Sequence, residues 1–462
     1  VGPVAVDAVT ASHGHYDHNY FEAALGDPVR ITEPGVHEVK GVRITGIPTW
    51  HDKECGAKRG RNIMFLVEMD GLRVLHAGDL GHLPDAATLA AVGQVDVLLA
   101  PGLNTKRSSL CGRSFEYYSE DPYLSGKLAA GFIRGAQKQG VSACAKHYAA
   151  NAQELLRMHS DSVMDERTLR EMYLTNFEIA IKEGKPGFVM TAYNRVNGVY
   201  ANESRHLLGD ILRGEWGFDG AVVTDWGGSN SIVEGVREGM NLEMPAAGDD
   251  SPCQLVKAVK DGTIDEKIVD ERVDQLLDFV LAEHKSGETS FDAAKQHQAA
   301  EAAAEKCLVL LKNDEHLLPL KKDARVAVIG EFAARSRYQG AGSSMVNAAQ
   351  VDDTLPMLDE FFPARVGFAQ GFERLDAAND ALADEAVQLA KTADCAVVYL
   401  GLPECFETEG LDRTHMRLPE NQIALMKKLR AVCKKMVVVL SCGSAVETDW
   451  AQDCDALLYA GL

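Results

Sequence analysis

The stretch VDVLLAPGLN, residues 95–104, is short, apolar and closed by a Pro-Gly pair, the composition of a buried strand running into a turn. The texture of the sequence changes on either side of it. Upstream, VAVDAVTASH, VRITGIPTWH and IMFLVEMDGLRVLHAGD read as short apolar strands punctuated by Gly-Asp and Asp-Gly turns, with histidines and aspartates where the strands end. Downstream, longer helical patterns alternate with buried strands. SGKLAAGFIRGAQKQG and DERTLREMYLTNFEIAIKEG carry apolar residues at helical spacing and close on glycine. VSACAKH, FVMTAYN, GAVVTDW and MNLEMP read as strands that end on polar residues. Strand-then-helix alternation with polar strand ends is the pattern of a barrel or a doubly wound sheet.

SIVEGVREG, DEKIVDERVDQLLDFVLAEH and AAKQHQAAEAAAEKCLVLLKN are expected to form amphipathic helices leading out of that region. Beyond them VAVIGEF, CAVVYLGL, MVVVLSCG and ALLYAGL are continuous apolar strands, as in a parallel sheet covered on both faces. A length of 462 residues suits two or three domains, and 46% apolar with 25% charged residues is a globular composition. The net charge of -21 argues against a nucleic-acid or anionic-membrane surface and suits a small neutral or cationic substrate. Ten cysteines, scattered singly without a C-x-x-C pair, read as reduced core thiols. No apolar run reaches the length of a membrane span, so a cytoplasmic location is expected.

Two motifs carry chemistry. ASHGHYDHNY (11–20) packs His13, His15, Asp17 and His18 into a strand-end loop. Alternation puts His13 and His15 on one side, able to reach one ion, while Asp17 and His18 serve a second. Imidazole and carboxylate suit zinc, iron or manganese. His51 and Asp79 end two further strands, in GIPTWHD and HAGDLGH, and the aspartate is suited to bridging two metals. GAVVTDWGG (220–228) instead ends an apolar strand on the lone carboxylate Asp225, with Trp226 beside it as a face for a sugar. A helix-capping aspartate would look the same from sequence.

The N-terminal segment resembles the metallo-β-lactamase superfamily, in particular metal-dependent hydrolases of the lactonase type. The resemblance covers residues 1–101 and implies part of an αββα sandwich. It makes His13, His15, Asp17, His18, His51 and Asp79 ligands of zinc or another divalent metal. That family uses a further histidine past the bridging aspartate, and this sequence leaves the pattern after VDVLLAP, so an incomplete site is expected.

From Gly102 onward, SSLCGRSFEYYSEDPYLSGKLAAG, ACAKHYAANAQELLR, VMDERTLREMYLTNFEIAIKEGKPGFVMTAYNRVNG, ILRGEWGFDGAVVTDWGG and CFETEGLDRTHMRLPENQ resemble, in this order, glycoside hydrolase family 3. The resemblance implies an α/β protein: an incomplete (β/α) barrel of the TIM type over residues 102–290, its opening strands missing, then a truncated α/β sandwich over 291–462. It implies that Asp225 is a nucleophile and that Glu409 is the acid/base, with Glu407 on the same loop as second choice. Arg113, Lys146, His147 and Tyr193 would bind the sugar, with Trp226 beside them. The expected function is that of a retaining β-glycosidase. It would release terminal β-D-glucosyl residues through a covalent glycosyl-aspartate, with no cofactor and a β-glucoside or small oligosaccharide as its partner. The alternatives are a metal-dependent hydrolase of a lactone or phosphoester, and an inactive fusion joined by crossover at the shared strand 95–104.

Overall fold

The structure is a computed structural model. It describes residues 4–12, 21, 24–50, 57, 60–69, 72–76, 97–245, 250–283, 292–346, 348 and 350–462. After two short parallel pairs (Val4–Ala5 with Ala24–Leu25, Ala8–Thr10 with Val29–Ile31) come four antiparallel strands in chain order: β1 (Gly35–Val39), β2 (Val42–Trp50), β3 (Arg61–Met69) and β4 (Leu72–His76). Lys40 and Gly41, at φ 52° and 84°, join Val39 to its partner Val42. Two consecutive positive φ angles make the tight hairpin turn whose twist matches the strands, which is why a glycine stands at its second position. β3 buries both faces. Ile63 and Phe65 pack with Ile31 and Ile44, while Met64 and Leu66 pack with Ile47.

The second unit is a parallel sheet of β5 (Val97–Leu98), β6 (Ser142–Tyr148), β7 (Phe188–Thr191) and β8 (Ala221–Val223), neighbours in chain order. From Val97 to Leu103 the stretch VDVLLAPGLN runs along this sheet well past its two-residue strand. Cys144 N–H donates to the Ala100 carbonyl, Lys146 N–H to Pro101, and Leu103 N–H to Lys146. The helices between the strands are α1 (Pro122–Lys138), α2 (residues 166–184, with π-type turns) and α3 (His206–Glu215, π-type). Asp121 starts α1 by accepting the Tyr123 and Leu124 amides, ahead of Pro122 in the first helical position. Ile133 of α1, Phe177 of α2 and Ile211 of α3 are buried in one core with Val189 and Val222. Each such side chain is worth about 1.5–3 kcal/mol.

After α4 (Ile232–Glu238), α5 (Asp250–Lys260), α6 (Glu266–Glu283) and α7 (Ala293–Cys307) comes a six-stranded sheet. Its strands are β9 (Val309–Asn313), β10 (Val326–Ile329), β11 (Gly367–Ala369), β12 (Cys395–Gly401), β13 (Met436–Ser441) and β14 (Ala456–Tyr459). The order is β9-β14-β13-β12-β10-β11, all parallel except β9. Among its covering helices are α8 (Asp380–Ala390) and α9 (Glu420–Arg430).

Two expectations need correction. The stretch read as one helix over 293–313 stops at Cys307, and VLLKN becomes β9, antiparallel to β14. MNLEMP contributes only a bridge from Leu242 to Val223. Backbone bonds from the Leu242 N–H to Val222 and from the Thr224 N–H to Leu242 make that bridge, and the Thr224 hydroxyl extends it, accepting from the Met244 N–H at 2.8 Å and donating to its carbonyl at 3.2 Å.

Candidate active site

The parallel sheet delivers polar side chains to one edge. β6 ends with Lys146 and His147 near its C-terminus, Tyr193 follows β7 by two residues, and Asp225 follows β8 by two. Asp225 Oδ1 accepts the Trp226 N–H at 2.7 Å, while Oδ2 has no hydrogen-bond partner among the described residues. His147 Nε2 lies 3.4 Å from Oδ2. Asp225 is 8% exposed. Burial pushes its carboxyl above the ordinary value, against the Trp226 N–H and the Arg113 and Arg157 charges. His147 is held well below its ordinary value, by burial first and then by Arg113 and Lys146, so it is neutral. Its Nδ1 is 3.0 Å from the Tyr117 hydroxyl. Tyr193 donates its hydroxyl to the Trp226 carbonyl, and Trp226 itself is exposed.

Arg113 comes from the loop after β5 and is buried to 1% exposure. Glu116, three residues on, grips it at 2.6 Å and holds Lys146 Nζ at 3.1 Å with its other oxygen. One carboxylate thus orients both cations. Sequence reasoning did not single out Glu116, although the i,i+3 spacing in RSFE was a usable signal.

Glu409 enters from the loop after β12. Its Oε1 accepts from Arg157 at 2.8 Å and from Arg113 at 3.4 Å, and its Oε2 accepts the Ser343 N–H at 2.7 Å. Burial raises its carboxyl, but Ser343, Arg113 and Arg157 outweigh that and hold it at about 2. Arg157 also lies 4.7 Å over the Tyr193 ring and bonds Glu154 at 2.8 Å. Neither Arg157 nor Glu154 was foreseen. Both sit in NAQELLRM, which reads locally as an ordinary polar turn. Glu407, the second choice, is fully buried, pairs with Arg337 at 2.6 Å and accepts the Ser444 hydroxyl. That carboxylate is committed inside the second domain. The structure thus brings Arg113, Lys146, His147, Tyr193, Trp226, Asp225 and Glu409 together at one junction.

The proposed metal ligands His13, His15, Asp17, His18, His51 and Asp79 lie outside the described residues. Among the described residues, no group of three or more metal-ligating side chains is present, and no helix is long and apolar enough to cross a membrane.

A strand-end carboxylate in one unit and a loop carboxylate from the next thus both lie within the influence of the Arg113 and Arg157 charges. Sequence profiles name the family. The glycosyl hydrolase family 3 N-terminal domain matches residues 78–279 and the C-terminal domain of that family matches 308–462. The chain belongs to glycoside hydrolase family 3. A β-lactamase superfamily domain matches residues 2–109, overlapping the first profile over 78–109, the stretch that contains VDVLLAPGLN. The thermostable β-glucosidase B of Acetivibrio thermocellus is 45% identical over 94% of this chain and 62% of its own length. The exo-α-(1→6)-L-arabinopyranosidase of Bifidobacterium longum is 41% identical over 80% of this chain and 50% of its own. Among solved structures, a GH3 β-glucosidase of Bifidobacterium adolescentis superposes with TM-score 0.76 at 41% identity, over 80% of this chain and 55% of that one. β-Glucosidase 3B of Thermotoga neapolitana with α-D-glucose gives 0.71 at 32%, over 79% and 56%. The chain spans between half and two thirds of the length of these relatives.

Proposed function

We propose that the chain is a retaining β-glycosidase acting on terminal β-D-glucosyl residues. The observation that carries this is the free Oδ2 of buried Asp225 beside neutral His147, with Glu409 reaching the same cluster from another domain. Asp225 Oδ2 attacks the anomeric carbon while Glu409 protonates the departing oxygen. Glu409 then takes a proton from water, which releases the sugar from Asp225. Arg113, Lys146 and His147 hold sugar hydroxyls, Tyr193 lines the pocket, and Trp226 presents an aromatic face. No cofactor enters these steps.

The sequence of parallel strand and helix supports a (β/α) barrel of the TIM type over 102–290, and the six-stranded sheet supports an α/β sandwich over 291–462. Residues 1–101 are read as a metallo-β-lactamase-like unit. The β-glucosidase relatives favour glycoside hydrolysis over metal-dependent hydrolysis. The arabinopyranosidase relative motivates a second substrate class, α-L-arabinopyranosides.

The test is hydrolysis of aryl β-D-glucoside and aryl α-L-arabinopyranoside, with and without chelator, by wild type and Asp225→Asn. Chelator-resistant hydrolysis lost in Asp225→Asn, with a 2-deoxy-2-fluoroglucosyl label on Asp225 by mass spectrometry, is the expected result. Activity that survives Asp225→Asn, or that chelator abolishes, sinks the reading.

A further inference from the structure

Glu409 reaches Arg113 and Arg157 on a loop of another domain, so its placement depends on how that loop docks. Its own bonds to Arg113 and Arg157 are poor anchors, because a glutamate that must carry a proton has to give up charge pairing. A second carboxylate three residues on is better placed. Asp412 Oδ1 accepts the Gly112 N–H at 3.1 Å and the Glu154 N–H at 3.0 Å. Its Oδ2 accepts the Glu154 N–H at 3.1 Å and the Leu155 N–H at 2.9 Å. Gly112 precedes Arg113, and Glu154 and Leu155 precede Arg157. Asp412 therefore grips, through backbone amides, the two loops whose arginines hold Glu409. Carboxylate-to-amide bonds of this kind are charge-assisted, and the chemistry does not consume them.

The neighbours of Asp412 reinforce the docking. The Arg413 N–H donates to the Leu110 carbonyl at 2.8 Å, and its guanidinium to Ser109 at 2.8 Å and Ala445 at 2.6 Å. Gly410 N–H donates to Glu154 Oε2 at 3.0 Å. The approach is close enough that a Cβ on Gly112 would lie 1.7 Å from the Leu411 carbonyl oxygen.

We propose that Asp412 is a positioning residue: by accepting the backbone N–H groups of Gly112, Glu154 and Leu155, it sets Glu409 against Asp225. It rests on the glycosidase reading, with Glu409 as acid. In the first step the Glu409 proton passes to the glycosidic oxygen as the C–O bond breaks and Asp225 bonds to the anomeric carbon. A leaving group such as 2,4-dinitrophenolate departs without that proton, so a displaced Glu409 shows as a leaving-group-dependent loss.

The experiment compares wild type, Asp412→Ala and Asp412→Asn in the full chain on phenyl and 2,4-dinitrophenyl β-D-glucosides. Asp412→Ala is expected to lose about 10²-fold in kcat/KM on the phenyl substrate and less than about tenfold on the dinitrophenyl one. Asp412→Asn, which keeps one acceptor oxygen, falls between. Azide, which displaces Asp225 from the glucosyl intermediate without a base, raises dinitrophenyl turnover by Asp412→Ala and forms β-glucosyl azide. Equal losses on both substrates without azide rescue, or no loss, overturn the proposal. If Asp412→Ala does not fold, the same two ratios in Asp412→Asn decide. A wild type inactive on both substrates overturns the glycosidase reading and this proposal with it, whereas active wild type with equal losses overturns this proposal alone.

Discussion

Asp225 is a residue whose burial costs stability. Its carboxyl is raised by burial, so the fold disfavours the charged form that neutral pH imposes. The penalty is present in full above its folded value, fades as the pH falls from there toward the unfolded value of 3.8, and is gone below it. Asp225→Asn is therefore expected to raise Tm at pH 7 by about 2–4 °C, near 1 kcal/mol, with the gain vanishing below pH ~4 in melts across that range. Glu409 has the opposite sign. Held at about 2 against an ordinary 4.5, it stabilises the docked domains above pH 4.5, and that contribution is lost as pH falls toward 2. Glu409→Gln should flatten the acid limb of a Tm–pH curve over that window; an unchanged slope would show that its pairing with Arg157 contributes nothing. Glu407 separates from it cleanly: removing it strands buried Arg337, so Glu407→Ala should cost about 3–5 kcal/mol in denaturant unfolding. Asp225, with Trp226 beside it, was legible in the sequence itself as a carboxylate at an apolar strand end, whereas Arg113, Lys146, His147, Tyr193 and Glu409 came only from the family resemblance. Glu116, Glu154 and Arg157 were not legible, because their roles are to orient partners distant in sequence, and only folding makes them neighbours.

At the scale of elements, β12 links the second domain's core to the loop that bears Glu409. Its last residue, Gly401, donates to and accepts from the fully buried Gln422 side chain of α9, at 3.0 and 2.9 Å. A Cβ there would stand 2.1 Å from the Ser441 carbonyl oxygen on β13. Gly401→Ala is expected to force β12 and β13 apart at the strand end, costing about 1–3 kcal/mol and lowering the urea midpoint. An unshifted midpoint would mean the two strands do not meet so closely. Four of the five parallel strands of the six-stranded sheet, β10, β12, β13 and β14, were readable because both faces are covered, which leaves an uninterrupted apolar run with no helical period. β9 was misread for a related reason. VLLKN continues an alanine-rich helix without a glycine or proline to stop it, and its strand state comes from pairing with Ala456–Tyr459 far downstream. MNLEMP failed in the other direction, since its apolar residues look like a strand but its backbone pairing stops at one bridge, beyond which Met244 bonds the Thr224 side chain.

Across the whole molecule, two sets of buried contacts stand apart. Ile31, Ile44, Ile63 and Phe65 form one cluster, and the Leu103 to Val222 core forms another that shares no residue with it. Leu103 belongs to the second, and residues 97–103 are bonded along β6, so the change in sequence texture falls just before the sheet that carries Asp225. If the units are separate, damage to one leaves the other intact. Phe65 is fully buried at the centre of β3, and Phe65→Ala removes about 3–5 kcal/mol of packing. In a unit of about a hundred residues, that loss shifts a melting transition by more than ~10 °C. Calorimetry of the full chain should then show two transitions, of which Phe65→Ala lowers one, while kcat/KM on an aryl β-glucoside stays within about twofold. A single transition that moves as a whole, or glycosidase activity that falls with it, would mean that the N-terminal sheet supports the sheet bearing Asp225 and that the boundary at 101/102 divides nothing.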